Sequence, residues 1–312
     1  MAAVQTIPTK QTVIVIGGPT ASGKSGLALA LAQKYNGAVI NADSMQMYAG
    51  LPRLTAQPDD ADKQSAPHRL YGALPPDQAC NAASWRAMAL REIERAAGEN
   101  LVPIIVGGTG LYINTLMHGL SPMPEVPADV RAAMSADMAR MGNDAFHVHL
   151  AQHDPVMASR LHPGNTQRLI RAMEVFTYTG KSLAHFQALP PEPPPAHLRF
   201  VLLTLLPPRD VLYARCEGRF EQMIKDGALE EVESFPRPPA DAMPWPLHKA
   251  LGYPELRAYL DGNITRADAI RDAQQSTRNY AKRQTTWFRN QLDADLVLEK
   301  PDAALADGVI GL

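Results

Sequence analysis

The stretch Gly18-Pro19-Thr20-Ala21-Ser22-Gly23-Lys24-Ser25 (GPTASGKS) fits G-x-x-x-x-G-K-[S/T] and stands between an apolar run at 13–16 (VIVI) and a helix-forming run at 27–32 (LALALA). That order, a buried strand, a glycine loop and a helix start, is the context in which backbone N–H groups and a helix N-terminus converge on one anion. The chain is thereby constrained to an α/β fold that presents a phosphate cradle at a strand's end. In such a loop Lys24 reaches the outer phosphate oxygens and the Ser25 hydroxyl ligates Mg²⁺. The pattern is a nucleotide-binding signature, but on its own it leaves open whether the phosphates belong to ATP.

The remainder of the chain reads as further α/β sequence. Short apolar runs at 38–41, 102–106, 200–205 and 296–298 predict four more buried strands, with helical patterns between most of them. Such alternation implies a parallel sheet covered by helices. Between the third and fourth strands, two proline clusters bracket a different segment: Pro122, Pro124 and Pro127 before it, and Pro190, Pro191, Pro193, Pro194 and Pro195 after it. Proline at this density ends elements. Inside the brackets the sequence reads as helices, including 128–141, 154–161 and 166–178, with no strand. The expected organisation is a P-loop core from 1–120 and 197–312, carrying a helical insertion domain at 121–196.

Composition narrows the setting. With 312 residues, 46% hydrophobic and 20% charged, the chain has the balance of a soluble enzyme-sized protein. A formal net charge of −2 gives no global basic field, so a polyanion would have to meet a local basic surface. Cys80 and Cys216 are the only cysteines, with neither a disulfide framework nor a zinc pattern, which suits a reducing cytoplasm. The first ten residues lack the apolar core of a leader, and no run approaches the roughly 18 apolar residues of a membrane span.

Several constellations could carry chemistry. Asp43 follows the second strand in Asp43-Ser44-Met45-Gln46, and loops leaving the carboxyl ends of parallel strands share one crevice, so it should face the phosphate loop. A carboxylate there can act as a general base or hold a substrate hydroxyl; the plainer alternative is a helix N-cap. The third strand ends Gly107-Gly108-Thr109-Gly110, with no carboxylate between 101 and 119 where a phosphate-loop ATPase places its Mg²⁺ aspartate. These glycines admit a close-lying backbone or a flat substrate, or make a tight turn. Arg215 and Arg219, four apart on a predicted helix, could reach the crevice or pair with Glu217 or Glu221. Gln167, Arg168 and Arg171 suit phosphate and base-edge contacts, or a solvated face. On the last long helix Arg271, Arg278, Lys282 and Arg289 fall at about 0°, 340°, 20° and 0°, a cationic stripe of about 30 Å. Tyr280, Trp287 and Phe288 interleave aromatic surface, as core or as stacking platforms.

Taken together, the blocks GPTASGKS (18–25), DSMQ (43–46), GGTGLY (107–112), GLSPMP (119–124), QRLIR (167–171), LGY (251–253) and AKRQTTW (281–287) resemble the tRNA dimethylallyltransferase family, in that family's order and across nearly the whole chain. The resemblance implies transfer of a dimethylallyl group from dimethylallyl diphosphate to N6 of the adenosine 3′ of the anticodon, in tRNAs reading codons that begin with U. ATP is then neither bound nor hydrolysed, and a monomer with Mg²⁺ as cofactor is expected. Carried over by position, the family pattern makes Asp43 the base, and assigns Gly18, Pro19, Thr20, Ala21, Ser22, Gly23, Lys24, Ser25 and Arg219 to the diphosphate, with Ser25 on the metal. It assigns Asp43, Ser44, Met45, Gln46, Thr109, Arg131, Gln167, Arg168, Leu169, Ile170, Arg171, Gly252, Tyr253, Arg278, Lys282, Arg283, Gln284, Trp287 and Arg289 to the tRNA anticodon stem-loop. The chain departs from the family's usual glycine-threonine-alanine-lysine run at Leu54-Thr55-Ala56-Gln57, and has Arg69 where a second histidine is usual. The alternatives are a P-loop small-molecule kinase, an isopentenyltransferase acting on free adenine nucleotides, and a non-catalytic RNA-binding protein.

Overall fold

A computed structural model describes residues 10–238 and 245–311; the leaderless reading of the first ten residues therefore lies almost wholly outside the described part. The chain divides into two compact units, one of Met1–Met117 with Pro194–Leu312 and one of His118–Pro193.

The first unit is an α/β sandwich. Six strands, β1 (Gln11–Gly17), β2 (Gly37–Asn41), β3 (His68–Arg69), β4 (Val102–Gly107), β5 (Leu198–Leu205) and β6 (Leu296–Leu298), form one sheet in the order β3-β2-β4-β1-β5-β6, every pairing parallel. All five expected strands are present. The sixth, β3, was not foreseen; it is two residues long and pairs Val39 and Ile40 of β2 with His68 and Arg69. The side-chain alternation of a strand explains why the central runs are apolar throughout: Val13 and Val15 enter one core, Ile14 and Ile16 the other, and all four are fully buried.

Four helices precede the second unit: α1 (Lys24–Tyr35), α2 (Asp60–Ser65), α3 (Ala82–Gly98) and α4 (Gly110–His118). The second unit holds α5 (Ala128–Met141), α6 (Asn143–His153), α7 (Pro155–Arg160), α8 (Thr166–Thr179) and α9 (Leu183–Gln187) around its own core of Phe146, Leu150, Leu169 and Val175. The chain then returns through α10 (Arg209–Lys225), α11 (Ala228–Ser234), α12 (Tyr253–Leu260), the long α13 (Arg266–Gln291) and α14 (Ala303–Ile310). Helices α1 and α14 cover one face of the sheet; α3, α4 and α13 contribute to the core on the other. None of the described helices is long and apolar enough to cross a membrane.

Helix α13 positions the site. Its Phe288 ring lies where a Cβ at Gly17 would be, and its Trp287 ring where a Cβ at Gly110 would be, so both glycines are required by the helix's close approach. The glycine-rich strand end thus admits the Ala42 backbone at Gly107 and the side chains of this helix at Gly108 and Gly110. The buried Phe288 and the partly buried Trp287 serve as core on this side.

Candidate active site

The loops after β1, β2 and β4 open side by side at the carboxyl edge of the sheet, where the strand order reverses. The loop after β1 wraps the start of α1, and its arginine partners come from α10: Arg219 donates to the Thr20 hydroxyl, and Arg215 donates to the Ser22 carbonyl at 3.3 Å. Both arginines therefore turn inward, and neither is committed to Glu217 or Glu221. Lys24 Nζ donates to the Pro19 carbonyl at 2.5 Å. Burial pushes the Lys24 ammonium down to about 7; the Asp43 charge opposes that shift and the Arg219 charge adds to it. Burial lowers Arg219 as well. Two partly buried cations beside helix N–H groups leave a deficit of negative charge that an anion would fill.

Asp43 is held by its neighbours. The buried Asn41 side chain accepts from Asp43 N–H at 2.8 Å and donates to the Asp43 carbonyl at 2.9 Å and the Leu70 carbonyl at 3.0 Å. One carboxylate oxygen of Asp43 accepts from Met45 N–H at 3.0 Å, and Ser44 N–H donates to the Thr109 hydroxyl at 2.9 Å. Gln46 donates to the carbonyls of Thr55 and Ala56 at 2.8 and 2.7 Å, which fixes the 51–57 segment as a wall. The same segment is held from the other side by Glu231, whose carboxylate accepts from the N–H groups of Arg53 and Leu54 at 2.9 Å each.

Two cavities meet here. One, of about 440 Å³, includes Lys24, Ser25, Gly107 and Arg215; the other, of about 300 Å³, has Leu54, Phe220, Met223 and Leu251 in its wall together with Lys249, Thr277, Tyr280 and Arg283. Thr20, Asp43 and Arg219 line both, so they form the partition between an anion pocket and a second cavity of mixed apolar and charged lining. Tyr280 stands beside Asp43 and Thr109, and burial with the Asp43 charge pushes its hydroxyl far up; Tyr71 on the anion side is raised for the same two reasons. Cys216 also lines the second cavity, its thiol raised by burial against the opposing pull of Arg219 and Lys24.

The other sequence-selected residues are distributed unevenly. Gln284 is buried: its amide accepts from Thr20 N–H at 2.8 Å and donates to the Gly108 carbonyl at 2.8 Å, a brace between the phosphate loop and the end of β4. Gly252 starts α12 against Phe220, and the buried Tyr253 ring stacks on His248 with centroids 4.8 Å apart. The cationic stripe is broken, because Arg271 pairs with Asp268 and Asp272 while Arg278 pairs with Glu217 of α10. Lys282, Arg283 and Arg289 are exposed, and Arg283 lies over the Tyr280 ring at 5.6 Å. In the second unit Leu169 and Ile170 belong to the core, and Arg171 holds Glu174 at 3.2 Å and the Pro124 carbonyl at 3.3 Å. Gln167 and Arg168 are exposed; Arg131 donates to the Val126 carbonyl at 3.0 Å. Sequence reasoning did not single out Asn41, Tyr71, Phe220 or Met223. The last two read from sequence as ordinary helix core.

The model of the family described as IPP transferase matches residues 46–291. The chain belongs to the IPP transferase family. A tRNA dimethylallyltransferase of Paramagnetospirillum magneticum is 52% identical to it over 290 residues, 92% of this chain and 91% of that protein. One of Rhodospirillum centenum is 50% identical over 288 residues, with 92% and 91% covered. Among solved structures of the IPP transferase kind, the full-length tRNA isopentenylpyrophosphate transferase of Bacillus halodurans is 32% identical, with a TM-score of 0.65 over 97% of each chain. A eukaryotic dimethylallyltransferase acting on tRNA is 26% identical, with a TM-score of 0.74 over 96% of this chain and 76% of that one.

Proposed function

We propose that this chain transfers a dimethylallyl group from dimethylallyl diphosphate to N6 of the adenosine 3′ of the anticodon in tRNA. The observation that carries the reading is the shared partition: Thr20, Asp43 and Arg219 face the phosphate-loop pocket on one side and, on the other, a cavity whose wall combines Leu54, Phe220, Met223 and Tyr280 with Lys249 and Arg283. Dimethylallyl diphosphate cradled by the loop would have its C1 at that partition, and an adenine entering from the second cavity would bring its amine to Asp43. The N6–C1 bond forms as the C1–O bond breaks, diphosphate departs, and the N6 proton passes to the Asp43 carboxylate. Charge developing on the leaving group is met by the loop N–H groups, Lys24, Arg215 and Arg219.

Mg²⁺ fits the donor chemistry. The Ser25 hydroxyl is a hard oxygen ligand lining the anion pocket, and the described residues hold no cluster of three acid, histidine or cysteine side chains that would bind a cation without phosphate. When bound there, the ion supplies Lewis-acid stabilisation of the departing diphosphate. The adenine must leave its stack to enter the cavity, as base-modifying enzymes require. Exposed side chains that offer contacts to tRNA phosphates include Lys282, Arg283 and Arg289 and, in the second unit taken by itself, Gln167 and Arg168. Catalysis in the cytoplasm suits the free thiols of Cys80 and Cys216.

The test is incubation with labelled dimethylallyl diphosphate and unmodified tRNA, followed by digestion to nucleosides. Label on adenosine is the expected result; ATP consumption without label on adenosine overturns the reading in favour of a kinase. Asp43→Asn should abolish transfer and leave tRNA binding within about threefold, and normal turnover in that variant removes Asp43 from the role of base.

A further inference from the structure

A divalent cation on the Ser25 hydroxyl fills its remaining positions with phosphate oxygens and water, since Mg²⁺ keeps several waters. Those waters are hydrogen-bond donors and need acceptors around them. The strand end where such an acceptor would be sought, 107–110, has none with charge.

A second, smaller cavity of about 50 Å³ shares Ser25, Ala56 and Tyr71 with the anion pocket, and Asp62 and His68 also line it. It has room for a few water molecules. Its polar lining is rich in acceptors. Asp62 sits in the first turn of α2, whose N-cap Asp59 accepts from Asp62 N–H at 2.8 Å, so the backbone that carries it is fixed. Its carboxylate makes no hydrogen bond or ion pair with the described residues, whereas Asp60 on the same helix is exposed and pairs with Lys63 at 4.0 Å. His68 Nδ1 lies 2.9 Å from the Ala66 carbonyl, so in the neutral ring that nitrogen is the donor and Nε2 is an acceptor. The Tyr71 hydroxyl stands within the field of both Asp62 and Asp43, between the two chambers.

We propose that Asp62, assisted by His68, holds the water shell of the divalent cation bound at Ser25, supplying from α2 the carboxylate that β4 lacks. This rests on the reading that Ser25 carries a cation together with a diphosphate. Asp62 is thus a positioning residue that acts through metal-bound water.

The probe is Mn²⁺ with inorganic pyrophosphate, read by electron paramagnetic resonance of the full chain. Asp62→Asn should weaken Mn²⁺ in the ternary complex about tenfold, the lower end of what loss of an outer-shell partner costs. Pyrophosphate affinity in the presence of a chelator should stay within about twofold, and His68→Gln should weaken Mn²⁺ in the same sense as Asp62→Asn. Asp60→Asn, which removes the same charge from the same helix, should leave Mn²⁺ affinity unchanged. Unaltered Mn²⁺ affinity in Asp62→Asn, or an equal loss in Asp60→Asn, overturns the assignment. Label transfer to tRNA by the unmodified chain is read separately, so failure of this assignment and failure of the prenyl-transfer reading are distinct results.

Discussion

Lys24 gives the sharpest quantitative consequence of the site. Its ammonium, pushed down to about 7 by burial, is about one-tenth protonated at about pH 8. A bound diphosphate brings two or more negative charges against it and returns its pKa toward the ordinary 10.5, so binding at that pH must take up a proton. Recharging the group costs about 1.4 kcal/mol at about pH 8, and diphosphate affinity should fall about tenfold per pH unit above about 7 until the bound-state value is reached. The assay is calorimetric titration with dimethylallyl diphosphate at about pH 8, where the ligand is fully ionised, in buffers of different ionisation enthalpy. The observed heat plotted against buffer enthalpy should have a slope of about 0.9 proton taken up, and Lys24→Met should remove it. A slope near zero in the unmodified chain, or an undiminished slope in Lys24→Met, refutes the argument. The same shift fixes the sign of the stability dependence. The unfolded chain binds a proton at Lys24 between about 7 and 10.5 that the ligand-free fold does not, so this group's contribution to stability is complete above 10.5 and is lost as pH falls toward 7.

Two further outcomes follow from the geometry. Gln284→Ala leaves the Thr20 N–H and the Gly108 carbonyl without their partner, which should cost roughly 2–4 kcal/mol in denaturant unfolding and weaken diphosphate binding together; an unchanged midpoint would show that the brace is dispensable. Lys282→Ala should reduce the log-log salt slope of tRNA binding by about one, whereas Arg278→Ala, already paired with Glu217, should leave the slope nearly unchanged; equal slopes in both variants would restore the continuous stripe.

What the sequence made legible follows from how local each signal is. Strands β1, β2, β4 and β5 announced themselves because a strand buried on both faces is apolar at every position, as 13–16 is, whereas β6 is apolar in sequence but leaves Val297 exposed, so it is an edge strand and not the buried one expected. Strand β3 carries no such signal, being His68 and Arg69 held in place by β2. The phosphate loop was legible for the same local reason, since strand, loop and helix start are contiguous. Charge partners were not. The period of Arg271, Arg278, Lys282 and Arg289 is visible along α13, but Glu217 lies on α10, and nothing in either segment says that the two helices pack together. Likewise QRLIR reads as a recognition motif until Leu169 and Ile170 are seen to fill the core of their unit.

The deeper reason lies in α13. Gln284, Trp287 and Phe288 occupy positions i, i+3 and i+4, one face of the helix, and that face meets Thr20 and Gly108, Gly110 and Gly17 respectively. Because no Cβ projects from Gly17 or Gly110, the helix can lie directly across the strand ends, and its register is fixed by that fit. One and two turns earlier, the same register places Tyr280 and Thr277 in the wall of the second cavity. The group that braces the phosphate loop and the groups that shape the cavity beside Asp43 therefore belong to one rigid element. A change that shifts α13 along its axis must disturb the anion pocket and the acceptor cavity together, and a binding defect on one side should always be accompanied by one on the other. Of the glycines at the end of β4, Gly108 and Gly110 admit this helix, and Gly107 admits the backbone of Ala42.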